Sequence, residues 1–144
     1  MGAHAGPQHL GRPQRRRAPE RNHLAETKGR RDTVNNSLKL NCIVDFAHTP
    51  NALFETLTSL KNIYPHGKLI CLFGATGGRD QTKRPIMGKI VSENCDVAIV
   101  TADDTRTESV EDINGEIILG FNPLKLKQKK FFYHNIFNRQ DAFN

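Results

Sequence analysis

The sequence has no run of about 18 apolar residues; apolar stretches such as 69–74 are strand-sized, which argues against a membrane-spanning helix. Residues 1–8 lack an apolar core, so no secretory signal is expected. Cysteine is scarce and odd in number. Cys42, Cys71 and Cys95 are widely spaced and form no CxxC or CxxH pair, which disfavours a disulfide scaffold and a tetrahedral zinc site. Buried, reduced thiols in a cytosolic protein are the expectation. No GxGxxG or Walker A sequence occurs, and no serine or cysteine nucleophile motif supports triad chemistry. At 144 residues, the chain has room for one ordinary domain and not for a large multidomain enzyme.

What is present begins with charge. The formal net charge is +6, but residues 1–28 carry +4 of it through Arg12, Arg15, Arg16, Arg17, Arg21 and Lys28 against Glu20 and Glu26. This leader is rich in Gly, Pro, Arg, His and Gln and has no apolar period. It buries too little to offset its ordering entropy and is expected to be a disordered basic leader. Residues 29–144 carry only +2.

From residue 29, apolar stretches alternate with Gly, Pro and Asp. Strands are expected over 38–45, 68–73, 97–101 and 130–136. Helices are expected over 50–64 (with Pro50 in the first turn), 85–94 and 110–120, and 139–144 reads as the first turn of another. Residues 68–73 are apolar at almost every position, as in a parallel strand covered on both faces. The strand–loop–helix repetition predicts an α/β, Rossmann-like three-layer domain with a mostly parallel sheet, right-handed crossovers and helices on both faces.

Ligands of such folds gather at the carboxyl ends of the strands. That rim is expected to collect Asp45 and His48 after the first strand, Gly77, Gly78 and Arg79 after the second, and Asp103, Asp104 and Arg106 after the third. The loop at 74–80 stands between a strand and a helix, where backbone N–H groups bind anions or where glycines merely permit a tight turn. Arg79, Lys83 and Arg84 add cations at that helix start. Cations there oppose the macrodipole, which favours an anionic ligand over a solvated helix end. His48 is open to three roles: nucleotide contact, general base or turn residue. Asp103 and Asp104 suit a metal, an ammonium group or a cap for the next helix.

Four motifs stand in one order: Gly29-Arg30-Arg31-Asp32; Val44-Asp45-Phe46-Ala47-His48-Thr49-Pro50-Asn51-Ala52-Leu53; 73–85 (FGATGGRDQTKRP) with Met87-Gly88; and 100–108 (VTADDTRTE). Together they closely resemble the C-terminal domain of the Mur ligases, nearest to the members that add the third amino acid of the peptidoglycan stem peptide. The resemblance covers 29–144 and leaves 1–28 unexplained.

The resemblance implies an ATP side formed by Arg30, Asp45 and His48, and an amino-acid side formed by Arg79 and the loop Asp103-Asp104-Thr105-Arg106. Gly77, Gly78, Lys83 and Arg84 would support the anion loop. Phe46 stands where Tyr is usual. Asp104-Thr105 replaces an Asn–Pro pair, putting an acceptor-only carboxylate in place of an amide. Arg106 would suit diaminopimelate and Asp104 would suit lysine, so the third residue is left open.

The implied reaction is ATP-dependent amide formation through an acyl phosphate, with Mg²⁺ and a P-loop lysine neutralising the transferring phosphoryl group. The 144 residues hold no GTNGKT-like P-loop, no uridine-nucleotide-binding domain and no GKGHE-like segment. The chain is therefore expected to be a lobe truncated before its last elements and inactive alone. Its metal site and its contact with UDP-MurNAc-dipeptide would lie on the missing domains; no metal site is expected on this lobe. Two other readings compete. One is a nucleic-acid module using the leader and Lys125, Lys127, Lys129 and Lys130, disfavoured because the adjacent aromatics fall in a buried strand. The other is a stand-alone small-molecule-binding domain.

Overall fold

A computed structural model describes residues 31–34 and 40–143, with the side chains of 31–33 outside that description. The expected leader, 1–28, and Arg30 lie outside the described residues. Three parallel strands, β3 (Ile70–Phe73), β4 (Val97–Thr101) and β5 (Phe132–Ile136), form a sheet in that order, with Ile70 level with Val97 and Val97 level with Phe132. Helices α1 (Pro50–Ile63), α2 (Lys83–Asn94) and α3 (Val110–Leu119) accompany them, as expected of an α/β, Rossmann-like domain, but they share a core with one face of the sheet, where helices on both faces were expected. No described helix is long and apolar enough to cross a membrane.

The first expected strand is placed differently. β2 (Cys42–Asp45) pairs antiparallel with β1 (Arg31–Val34) in a separate two-stranded sheet, Arg31 opposite Asp45 and Val34 opposite Cys42. A strand inside a parallel sheet is covered on both faces, whereas Val44 is 60% exposed. The pattern of 38–45 also suits a half-buried antiparallel strand, and its partner lay hidden in the polar Arg31-Asp32-Thr33-Val34 stretch. A short helix, α4 (Pro123–Lys127), was not expected. Asn122 caps it by accepting from the Leu124 and Lys125 N–H groups. The expected helix at 139–144 is a 3₁₀ turn over Asp141–Phe143.

α1 starts at Thr49, whose hydroxyl accepts from the Ala52 N–H at 3.3 Å, followed by Pro50. It buries Leu53, Leu57 and Leu60. Side chains alternate across the sheet, and one face, with Phe73, Ala98 and Val100, joins Leu53, Leu57, Met87, Val91, Ile113, Ile117 and Phe131 in a single core. The opposite face, with Ile70, Leu72, Val97, Ile99 and Phe132, takes no part in that core. Ile70 and Phe132 are more than half exposed.

Helices α2 and α3 approach backbone to backbone. A Cβ on Gly88 would run into the Ile117 carbonyl, and one on Gly120 into that of Pro85. Gly88→Ala is expected to destabilise by about 1–3 kcal/mol through overpacking. Gly115, in α3, has nothing within 4 Å of its would-be Cβ. Gly115→Ala should stabilise by about 0.5–1 kcal/mol. Urea unfolding of the two variants tests this opposition of sign.

Candidate functional site

The rim is built from three turns. In the first, after β2, the Asp45 Oδ1 accepts from the Ala47 N–H at 2.8 Å and Oδ2 accepts from the Thr56 hydroxyl at 3.1 Å. Asp45 therefore braces the turn against α1. His48, exposed, has Nδ1 3.1 Å from the Phe46 carbonyl. A proton on Nδ1 satisfies that carbonyl and leaves Nε2 as an acceptor. The Phe46 ring stands edge-on to the imidazole at 6.4 Å.

The second turn, after β3, lies directly on the third, after β4. Gly77 donates its N–H to the Asp104 carbonyl at 2.8 Å, and any Cβ on Gly77 would collide with the Thr105 backbone. Gly78 adopts a left-handed φ of +61° and donates its N–H to Glu108. Arg106 also has a positive φ, +52°, a conformation an L residue adopts at a cost of order 1 kcal/mol. A backbone of this kind fits a site whose geometry is imposed by its surroundings.

Glu108 joins these parts. Its Oε2 accepts from Arg84 Nη1 at 2.8 Å and from Gln81 Nε2 at 3.2 Å; its Oε1 accepts from Arg84 Nη2 at 3.0 Å and from Gly78. The Arg84 side chain is fully buried and also donates to Glu116 at 2.9 Å and to the Thr76 carbonyl at 3.4 Å. Its Nε has no partner among the described residues. Arg84 was expected as a free donor beside the anion loop. Its two Nη groups are instead occupied inside the protein, because two carboxylates from other segments meet it below the rim.

The remaining cations differ. Lys83 Nζ donates to the His48 carbonyl at 3.3 Å, tying α2 to the first turn. Arg79 is exposed and makes no hydrogen bond or ion pair among the described residues. Arg106 Nε lies 3.5 Å from the Asp104 carboxylate, and Asp103 accepts from the Thr76 hydroxyl at 3.4 Å. Neither aspartate caps α3; Ser109 does, accepting from the Asp112 N–H at 3.0 Å. A small, partly open cleft of about 40 Å³ is lined by Ala47, His48, Gly74, Thr76, Lys83 and Asp103, among others. Arg79, Asp104 and Arg106 stand on the docked loops. Among the described residues, no three His, Cys, Asp or Glu side chains converge as a metal site.

Sequence reasoning missed Thr76, Glu108 and Glu116. Glu108 had a signal, as the last residue of the 100–108 motif. The Arg84 guanidinium and then the Gly78 N–H hold the Glu108 carboxyl down at about 2. Two bonds from Thr82 lower Asp80, which places a carboxylate at the start of α2 ahead of the cations.

A family model described as "Mur ligase, glutamate ligase domain" matches residues 29–143. The chain is 40% identical over 114 residues to a UDP-N-acetylmuramoyl-L-alanyl-D-glutamate--2,6-diaminopimelate ligase of Clostridioides difficile (strain 630), covering 79% of this chain and 22% of that one. It is 49% identical over 94 residues to the protein of the same name from Rickettsia bellii (strain RML369-C), covering 65% and 19%. A solved structure of a ligase of that name superposes with a TM-score of 0.65 at 32% identity, covering 79% of this chain and 22% of that one. The chain thus spans about a fifth of the length of the curated relatives it matches.

Two outcomes follow for the buried cluster. Arg84→Met should cost about 2–3 kcal/mol in urea unfolding, below the full cost of breaking a buried pair because Glu108 and Glu116 keep 22% and 37% exposure. The folded Glu108 titrates below its ordinary 4.5, so its stabilisation is complete above that value and fades as pH falls towards about 2. The gap in stability between wild type and Glu108→Gln should therefore shrink over that window. A constant gap would contradict the ion pair.

Proposed function

The chain belongs to the Mur ligase family through the glutamate ligase domain matched at 29–143, and on that premise we propose that it is the C-terminal lobe of an ATP-dependent ligase. The reaction is addition of the third amino acid to a UDP-MurNAc-dipeptide in peptidoglycan synthesis, in the cytoplasm, with the ATPase and uridine-nucleotide domains supplied separately from these 144 residues. The observation that carries this reading is the docking of the loops after β3 and β4, joined by the Gly77–Asp104 bond and by Glu108. These docked loops carry Arg79 and Arg106, and Thr76 and Asp103 of the same two loops line the cleft with His48 and Lys83.

ATP, when bound, supplies the phosphoryl group that activates the dipeptide's carboxylate. On this lobe, Lys83 offers an ammonium and His48 an Nε2 acceptor to a nucleotide, while Asp45 holds their turn in place. Among the described residues no three His, Cys, Asp or Glu side chains gather as a metal site, and on this reading Mg²⁺ would be held by the ATPase domain. Arg79 and Arg106 suit the carboxylates of an amino acid, and the hydrogen-bonded loop backbone that carries them limits how far these donors must be brought to the ligand. The relatives are named for 2,6-diaminopimelate, and two arginines match a diacid. Meso-diaminopimelate is the third residue on this reading; lysine is its competitor because of Asp104.

Purified protein given ATP, UDP-MurNAc-dipeptide and meso-diaminopimelate should release no phosphate, since no P-loop lysine is present. Weak binding should persist, with dissociation constants no tighter than roughly millimolar. In amide NMR titrations, ATP should move signals at 47–49 and 83, and meso-diaminopimelate those at 77–80 and 104–106. Phosphate release by the chain alone, or no response to either ligand, would contradict the reading.

A further inference from the structure

Glu108, at the end of the loop after β4, has a largely buried carboxylate that bonds both the loop after β3 and the buried arginine. We propose that Glu108 is a positioning residue that sets the amino-acid side of the site through Gly78, and that Arg84 serves to hold Glu108 in that pose. The inference rests on the reading of Arg79 and Arg106 as amino-acid contacts.

The four bonds that Glu108 accepts come from two segments and tie them to a third. Gly78 and Gln81 belong to the loop that carries Arg79, Arg84 belongs to α2, and Glu108 itself follows the loop that carries Arg106. The carboxylate thus spans 30 residues of sequence to join the two loops, next to the direct Gly77–Asp104 bond. Gly78 holds a left-handed backbone, and the Arg106 Cδ packs 3.3 Å from where its Cβ would be. A shift of the Gly78 amide therefore moves the surface against which Arg106 rests. The nucleotide-side cleft borders this junction without containing its contacts: its lining includes Thr76, whose carbonyl accepts from Arg84, but neither Gly78 nor Glu108. Glu116 supplies the contrast. It pairs with the same Arg84 and touches neither loop.

Three variants of the full chain separate positioning from general support: Glu108→Gln, Glu108→Asp and Glu116→Gln. Each is titrated by amide NMR with meso-diaminopimelate and, separately, with ATP. The expected result is an apparent meso-diaminopimelate affinity at least about five-fold weaker in both Glu108 variants, the loss of one well-placed hydrogen bond to a charged group. The ATP response should stay within about two-fold, and Glu116→Gln should match wild type for both ligands. Glu108→Asp keeps a carboxylate for Arg84 but shortens its reach to Gly78, so it reports positioning even where Glu108→Gln is poorly folded.

Equal weakening of both ligands in the Glu108 variants, or equal weakening by Glu116→Gln, would overturn the inference in favour of mere stability. Unchanged meso-diaminopimelate binding in a folded Glu108 variant would overturn it as well. If wild type shows no meso-diaminopimelate response, the reading of the rim falls separately. The Gly78 and Arg106 amide signals then still decide whether Glu108 holds the loops. They should shift together in both Glu108 variants and stay in place in Glu116→Gln.

Discussion

A guanidinium with no exposure to water is the constraint on which this structure turns. Arg84 is fully buried, and an unpaired buried charge would be prohibitively costly. It is tolerated because Glu108 and Glu116 arrive from beyond β4 and from within α3, segments that only the folded β3–α2–β4–α3 arrangement brings to it. The ion pairs therefore act as a test of correct assembly. When they form, the loop after β3 lies on the loop after β4, and the glycines at 74 and 77 leave room for that contact. Packing at Gly88 and Gly120 does the same for the two helices.

From this core the two halves of the rim take different characters. The cleft side, with His48 and Lys83, is held by Asp45 and by the Lys83–His48 carbonyl bond. The loop side, with Arg79 and Arg106, is held through Glu108. On the proposed reading, the first edge would face the nucleotide and the second the amino acid.

Much of the fold was legible because parallel strands that bury one face against helices still leave an apolar signature. The strands at 70–73, 97–101 and 132–136 and the stripes of α1 and α3 follow directly from it. β1 was not legible, since Arg31-Asp32-Thr33-Val34 has no apolar period and its pairing with β2 is a matter of tertiary contact. α4 hid in a lysine-rich stretch, although Asn122-Pro123 is a cap signal. At the site, the rim residues were legible by their position after strands. Arg84 was not: beside Lys83 and Arg79 it looks like one more surface cation, and only the distant Glu108 and Glu116 reveal that it is internal. The bonds by which Asp45 ties its turn to α1 were not legible either, since Thr56 lies 11 residues further on.

The central claim is that the two loops form one preorganised unit before any ligand arrives. Amide hydrogen exchange of the ligand-free protein at Gly77 and Gly78 tests it most directly. The account predicts that both amides, bonded to Asp104 and Glu108, exchange slowly, at rates comparable with the β4 amides. Exchange at the rate of an open, exposed loop would contradict it.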